Sequence, residues 1–261
     1  MREDNELGAF LKARRGRVRP EDVGLTTSGR RRVPGLRREE LARLAGMSPR
    51  YLTRLEQGED HNPSAQVLSA LSSALRLDAD EAAHLYALAA PRPRPAGEEN
   101  ASDAVQRLLN TWEHVPAYVR DRRFDVLAAN KTAMALSGLY TPGQNLVRGI
   151  FRDPAVRALF PDWTQVAAQT AAALRAEGDV RDPRTTELIE SMLTNDEFRG
   201  MWKTYDVQPV RDEIKRFVHP VVGPLTLRRQ ALTIAAAPDQ TIIVYQADPG
   251  TPSEDALARL L

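Results

Sequence analysis

Between residues 41 and 58 the chain is built to stop one helix and start another within a few residues. Gly46 ends the run Leu41, Ala42, Leu44 and Ala45 with the residue type that enters the left-handed conformation without a steric cost, a common helix stop. Ser48 is then a good N-cap, and Pro49 suits the first helical position because its missing N–H has no partner there anyway. Gly58 closes the second helix. Counting from Pro49 at about 100° per residue, Arg50, Thr53, Arg54 and Gln57 fall at about 100°, 40°, 140° and 80°. Tyr51, Leu55 and Leu52 fall at about 200°, 240° and 300°. One face is polar and cationic, the other apolar, and the small Ala42 and Ala45 let the two axes cross closely.

This is the build of a helix-turn-helix, whose second helix enters the major groove of DNA by its N-terminal residues. The bland alternative is a surface helix pair with a solvated charged face. The order of alanines, glycine stop, serine cap and apolar positions argues against it. Charge supports the same reading. Residues 12–54 carry Lys12 and twelve arginines against Glu21, Asp22, Glu39 and Glu40, a net of +9, although the whole chain has a net charge of only +1. Phosphate neutralisation supplies much of the affinity of a DNA-binding protein, so positive charge belongs there.

Along the chain, a helix is expected over residues 6–17 with Leu7, Phe10 and Leu11 inward, then a long basic loop over 18–37. The Arg30, Arg31, Arg32 run is either solvated charge or reaches along the phosphate backbone or into a minor groove. Arg37 and Arg38, at the start of the motif's first helix, suit phosphate positioning. Further helices are expected over 63–76 and after Asp78, which makes residues 1–90 an all-α five-helix domain. Alternating proline and arginine after Pro91 marks a linker over 91–103. Residues 104–261 then read as two strands near 117–121 and 124–128, helices over 131–137, 153–177 and after Asp182, and three strands over 214–219, 225–232 and 241–246. Gly223-Pro224 and Ala237-Pro238-Asp239 mark turns between the last three. That order gives an α+β domain with an antiparallel sheet covered on one side, the PAS arrangement, ending in a C-terminal tail.

The first domain, with its Glu56-Gln57-Gly58 ending, resembles the Cro and phage-repressor type of helix-turn-helix, the XRE family. The resemblance implies that Glu56 pairs with an arginine of the first helix, where Arg14 matches. It also places Ser48, Pro49, Arg50, Thr53 and Arg54 at or near base edges, and Arg38 and Gln57 near phosphates. The second domain resembles the MmyB-type ligand-binding domain of actinobacterial regulators. The stretches that carry this include Pro116-Ala117-Tyr118-Val119, Asp125-Val126-Leu127-Ala128-Ala129-Asn130, Asp162-Trp163 and His219-Pro220-Val221-Val222-Gly223-Pro224-Leu225. Together the two resemblances imply a homodimeric, cytoplasmic transcription regulator of double-stranded DNA. They also imply a small apolar, fatty-acid-like effector between sheet and helices, with no other cofactor. Arg148 or His219 would meet its carboxylate head, with Phe151, Trp163, Met201 and Trp202 around its body.

Enzyme chemistry is not expected. The chain has no cysteine, which rules out disulfides, thiol catalysis and cysteine-based metal sites, and fits a cytosolic protein. Histidines 61, 84, 114 and 219 are scattered, and there is no phosphate-binding glycine loop or nucleophile elbow. His219, before Pro220 at a strand end, suits a hydrogen-bonded structural role better than that of a base. No run is long enough for a membrane helix, and residues 1–6 are too acidic for a signal peptide. Phe124, Leu127, Met134, Leu136, Leu146, Ile150, Phe160, Leu193, Phe198, Phe217 and Val218 supply further apolar bulk, most of it needed for a core. A dimerisation or protein-partner module without ligand is the alternative reading of this domain.

Overall fold

The computed structural model describes residues 5–25, 35–60, 62–89, 100–179, 182–207 and 213–260. The chain divides into two compact units, Met1–Pro93 and Arg94–Leu261. The first is helical and the second is α+β.

In the first unit, α1 (Glu6–Arg17) opens on Asn5, whose Oδ1 accepts from the Gly8 N–H at 3.0 Å. The Asn5 amide also donates to the Glu56 carbonyl at 2.8 Å, tying the start of this helix to the end of the third. Gly8 is required by that approach: a Cβ there would lie 2.5 Å from the same carbonyl oxygen. A 3-10 turn (Pro20–Val23) interrupts the expected basic loop, and residues 26–34, including Arg30, Arg31 and Arg32, lie outside the described residues. Helices α2 (Arg38–Leu44) and α3 (Pro49–Gln57) follow, joined through Gly46 at φ +63°. Ser48 Oγ accepts from the Tyr51 N–H at 3.1 Å, the cap read from the sequence. The next helix, α4 (Ala65–Ala74), begins two residues later than expected because Ser64 is its cap, and α5 (Ala79–Ala89) completes the bundle. Phe10, Leu11, Leu41, Ala42, Leu52, Leu55, Leu71 and Leu85 form its buried core.

The second unit opens with α6 (Asp103–Asn110), β1 (Ala117–Arg120) and β2 (Val126–Ala129). The expected linker falls largely in the undescribed residues 90–99, and the Asn100 carbonyl already accepts from buried Gln240 of the sheet at 3.1 Å. Helices α7 (Lys131–Leu136), α8 (Leu146–Arg152), α9 (Pro154–Leu159), α10 (Trp163–Glu177), α11 (Pro183–Met192) and α12 (Asp196–Lys203) come next. Strands β3 (Glu213–His219), β4 (Gly223–Ile234) and β5 (Ala237–Gln246) and helix α13 (Pro252–Ala258) end the chain. The single helix expected over 153–177 is two, because Phe160 before Pro161 is held extended. The last hairpin turns at Ala235-Ala236 rather than at Pro238, since Ile234 already pairs with Ala237. What reads as a C-terminal tail holds α13, whose Ala256 and Leu257 join the core.

The five strands form one antiparallel sheet, as expected, with the spatial order β2-β1-β5-β4-β3. Residues alternate between faces along a strand. Tyr118, Ile243, Tyr245 and Phe217 therefore join the helix-covered core, whereas Ala117, Val119, Ile242 and Val244 turn to the opposite face. There α6 lays Leu109 over them, so this end of the sheet is covered on both sides rather than one. Two expected core residues are exposed: Val218 (50%) points away from the helices, as does Ile214 on the same strand, and Met134 (37%) lies on the open side of α7.

Buried Asn130 joins three of these parts. Its Oδ1 accepts from Ala117 N at 3.1 Å and caps α7 through Ala133 N at 2.9 Å. Its amide faces the carbonyls of Leu109, Trp112 and Val115 at 3.2, 3.0 and 2.8 Å. Removing it strands several buried polar groups at once. Asn130→Ala should destabilise the protein by about 3 kcal/mol in urea unfolding, whereas Asn110→Ala on the exposed side of α6 should stay within about 0.5 kcal/mol.

Candidate nucleic-acid interface and ligand cavity

Helix α3 presents Arg50, Arg54 and Gln57 to solvent with Thr53 half-buried, beside the exposed Ser48 and Pro49. Leu52 and Leu55 are buried on the other side and Tyr51 is half-buried, as the helical spacing requires. Thr53 Oγ1 donates to the Pro49 carbonyl at 2.9 Å, and Arg54 reaches Asp60 at 3.4 Å. No ion-pair partner engages Arg50 among the described residues. The polar face is thus set on an apolar base, with Arg50 available for an external anion and Arg54 half-exposed beside Asp60.

Glu56 anchors that base. Its side chain has 0% exposure, and it is held by Arg15 Nε at 2.7 Å and Arg38 Nε at 2.8 Å. Arg15 also donates to the Leu36 carbonyl at 2.9 Å, which fixes the approach to α2. The expected partner, Arg14, instead pairs with Glu81 of α5 and stands over the Phe10 ring. The correction is one residue and about 100° of rotation: α1 packs between α3 and α5, so successive arginines meet different neighbours. Arg38 likewise differs from a plain phosphate contact. Its Nε is taken by Glu56, although 42% of the side chain stays exposed. Arg37, the residue before α2, is exposed and its N–H donates to Glu40 at 2.6 Å.

In the second unit a cavity of about 180 Å³ lies between the sheet and the helices. Strand register builds one wall. Glu213 pairs with Arg229 across β3 and β4, and Arg229 with Tyr245 across β4 and β5. Glu213 Oε1 lies 2.7 Å from Lys215 Nζ and 2.6 Å from an Arg229 nitrogen, and Lys215 also donates to Gln169 Oε1 at 2.6 Å. Arg120, on β1, meets Glu177 at 2.6 Å and lies 4.0 Å from the Phe124 ring centre. Tyr118 and Tyr245 continue that wall and Tyr140 lies against them, stacked on Tyr118 at 4.6 Å with its hydroxyl 3.2 Å from that of Tyr245. Burial first, then the neighbouring hydroxyls, raises the pKa of all three, so they stay protonated. Burial, then Arg229, pulls the Lys215 pKa down, against the opposing pull of Glu213. Leu139, Leu146, Ile150, Phe160, Val166 and Ala173 are among the apolar lining.

None of the six expected ligand residues lines this cavity. Arg148 is exposed on α8. His219 is a structural histidine: Nδ1 accepts from the Val221 and Val222 N–H groups at 3.2 and 3.3 Å, and Nε2 faces the Ala135 carbonyl at 3.1 Å. With Nδ1 accepting, Nε2 carries the proton. Phe151 packs edge-on against Trp163 and Phe198, and Trp202 stacks on Phe198. The Trp163 indole donates to the Ile150 carbonyl at 2.8 Å, and Met201 packs against the same core. These side chains fill volume between helices. The residues that do line the cavity, above all Lys215, leave a faint signal in the sequence. Glu213, Lys215, Phe217 and His219 share one strand face, so a charged pair rides with core residues.

A helix-turn-helix with an exposed cationic second helix, followed by an α+β unit with a cavity between sheet and helices, defines a DNA-binding transcription regulator with a ligand-binding domain. Residues 6–85 match a helix-turn-helix domain, and residues 101–261 match the MmyB-like transcription regulator ligand binding domain. The chain belongs to that MmyB-like family. A comparison with curated proteins gave no match. Among the described residues no helix is long and apolar enough to cross a membrane.

The Glu56 clamp predicts an order of stabilities. Arg15→Ala leaves a fully buried carboxylate short of a partner and should cost about 3 kcal/mol in chemical unfolding. Arg38→Ala, whose side chain is far more exposed, should cost about 1 kcal/mol.

Proposed function

We propose that the protein binds an inverted-repeat operator as a homodimer and that a small molecule in the cavity sets its occupancy. Each α3 enters the major groove, with Arg50, Thr53 and Arg54 at base edges and Ser48 and Pro49 close by. Gln57, Arg37 and the exposed part of Arg38 lie along phosphates, with Arg30, Arg31 and Arg32 reaching the backbone or the adjacent minor groove. The observation that carries this reading is the exposed polar face of α3 over a base held by the buried Glu56 pair. Such a protein works in the cytoplasm, where its operator is.

For the second unit, a domain that served only as a partner module would gain nothing from an internal cavity lined by buried charges. The cavity supports a sensor, and its lining suits an effector with an acidic head and an apolar body, the fatty-acid-like chemistry implied by the resemblance. An effector that binds better to one arrangement of the dimer shifts operator occupancy by that difference in affinity. The reading is regulatory rather than catalytic.

Fluorescence anisotropy on a cognate promoter fragment across a salt series tests the DNA half. Arg50→Ala and Arg54→Ala should each cost about 1–3 kcal/mol and relax base preference. Arg31→Ala should weaken all sequences alike and lower the salt slope by about one. Wild-type affinity and selectivity in both α3 variants would overturn the groove assignment.

A further inference from the structure

Two independent features of the cavity limit what can occupy it, given the sensor reading above. The first is size. At about 180 Å³ it is close to the ~150 Å³ cavity that accommodates one benzene, and smaller than the ~300–1,000 Å³ of sites for drug-sized molecules. One ring with a substituent fits within it, whereas a long acyl chain would be held only in part.

The second is the chemistry at Lys215. Its side chain is 5% exposed and lines the cavity. An ammonium has three N–H donors. Gln169 Oε1 takes one at 2.6 Å and Glu213 Oε1 lies 2.7 Å away as an ion pair, which leaves at least one donor without a hydrogen-bond partner among the described residues. Glu213 Oε1 also lies 2.6 Å from an Arg229 nitrogen, so it stands between two cations, and Asp162 adds a weaker pull on Lys215. Arg120, the third cation of the lining, has Glu177. An anion entering beside Lys215 therefore meets a charge-assisted donor in a setting that screens it poorly. The same sheet face carries the uncharged Tyr118 and Tyr245, with Tyr140 stacked ring on ring against Tyr118, and apolar residues complete the lining.

We infer that the cavity binds a compact aromatic carboxylate, its carboxylate accepting from Lys215 Nζ next to Arg229 and its ring packed against the tyrosines. A long-chain fatty acid would have to extend out of the cavity, and the buried donor disfavours a neutral ligand of the same shape. Burial and Arg229 together lower the Lys215 pKa, a penalty that a bound carboxylate offsets.

Isothermal titration of the full-length protein with sodium benzoate, benzyl alcohol and sodium myristate tests this, with Lys215→Met and Lys215→Gln run alongside. Both variants leave Glu213 paired with Arg229, and circular dichroism checks that they fold. Benzoate should bind once per chain, at least about tenfold more tightly than benzyl alcohol, and both variants should weaken it by at least about tenfold. Benzyl alcohol should change by less than about twofold in either variant. Undiminished benzoate binding in the two variants would overturn the inference. Myristate binding more tightly than benzoate and indifferent to Lys215 would also overturn it, while leaving the sensor reading intact. Failure of all three probes overturns it as well. The sensor reading falls with it only if the cavity-filling Ala173→Phe leaves operator binding unchanged.

Discussion

The helix proposed to face DNA depends on a carboxylate with no access to solvent. Glu56, at the end of α3, draws Arg15 from α1 and Arg38 from α2 onto one group, so a single ionic cluster fixes three helices. Burying that charge is costly unless its partners are well placed, and losing one partner costs more than never having built the cluster. Gly8 adds a steric version of the same constraint, since only a residue without a Cβ lets α1 approach the Glu56 carbonyl. The polar face of α3 is consequently carried on a base with few ways to shift. That is the condition for reading base edges, where a misplaced fork loses its second hydrogen bond.

The second unit uses a buried charged group for the opposite purpose. Glu213 stands between two cations, yet Lys215, which lines the cavity, retains a donor without a hydrogen-bond partner among the described residues. In the first unit the ionic cluster is complete and structural; in the second it is one acceptor short at Lys215. An unfinished buried network is expensive in a packed core. It is reasonable where a ligand completes it, which is why the proposed ligand is placed in the cavity and not at the aromatic cluster around Phe151 and Phe198.

The helix-turn-helix was legible because its signals are local. A stop at Gly46, a cap at Ser48 and a proline at the first helical position act within a few residues, and spacing alone separates Arg50 and Arg54 from Leu52 and Leu55. The antiparallel α+β class was legible from the order of strands and turns. What escaped depends on tertiary register. Arg14 and Arg15 are equally plausible partners for Glu56 until the packing of α1 between α3 and α5 decides. Glu213, Arg229 and Tyr245 meet only because three strands align side by side. Large side chains such as Trp163 and Trp202 advertise apolar volume, and volume alone does not distinguish a packed core from a lined cavity. Val218 misleads in the other direction: strand alternation turns it outward while Lys215, two pleats of the same face away from His219, turns in.

The central claim is that α3 reads the major groove. Dimethyl sulfate protection on a bound operator tests it directly, because the reagent reports guanine N7 in the major groove and adenine N3 in the minor groove. The account predicts N7 protection in two successive major grooves, about 10 base pairs apart centre to centre. Protection confined to adenine N3, or none at guanine N7 in a saturated complex, would contradict it.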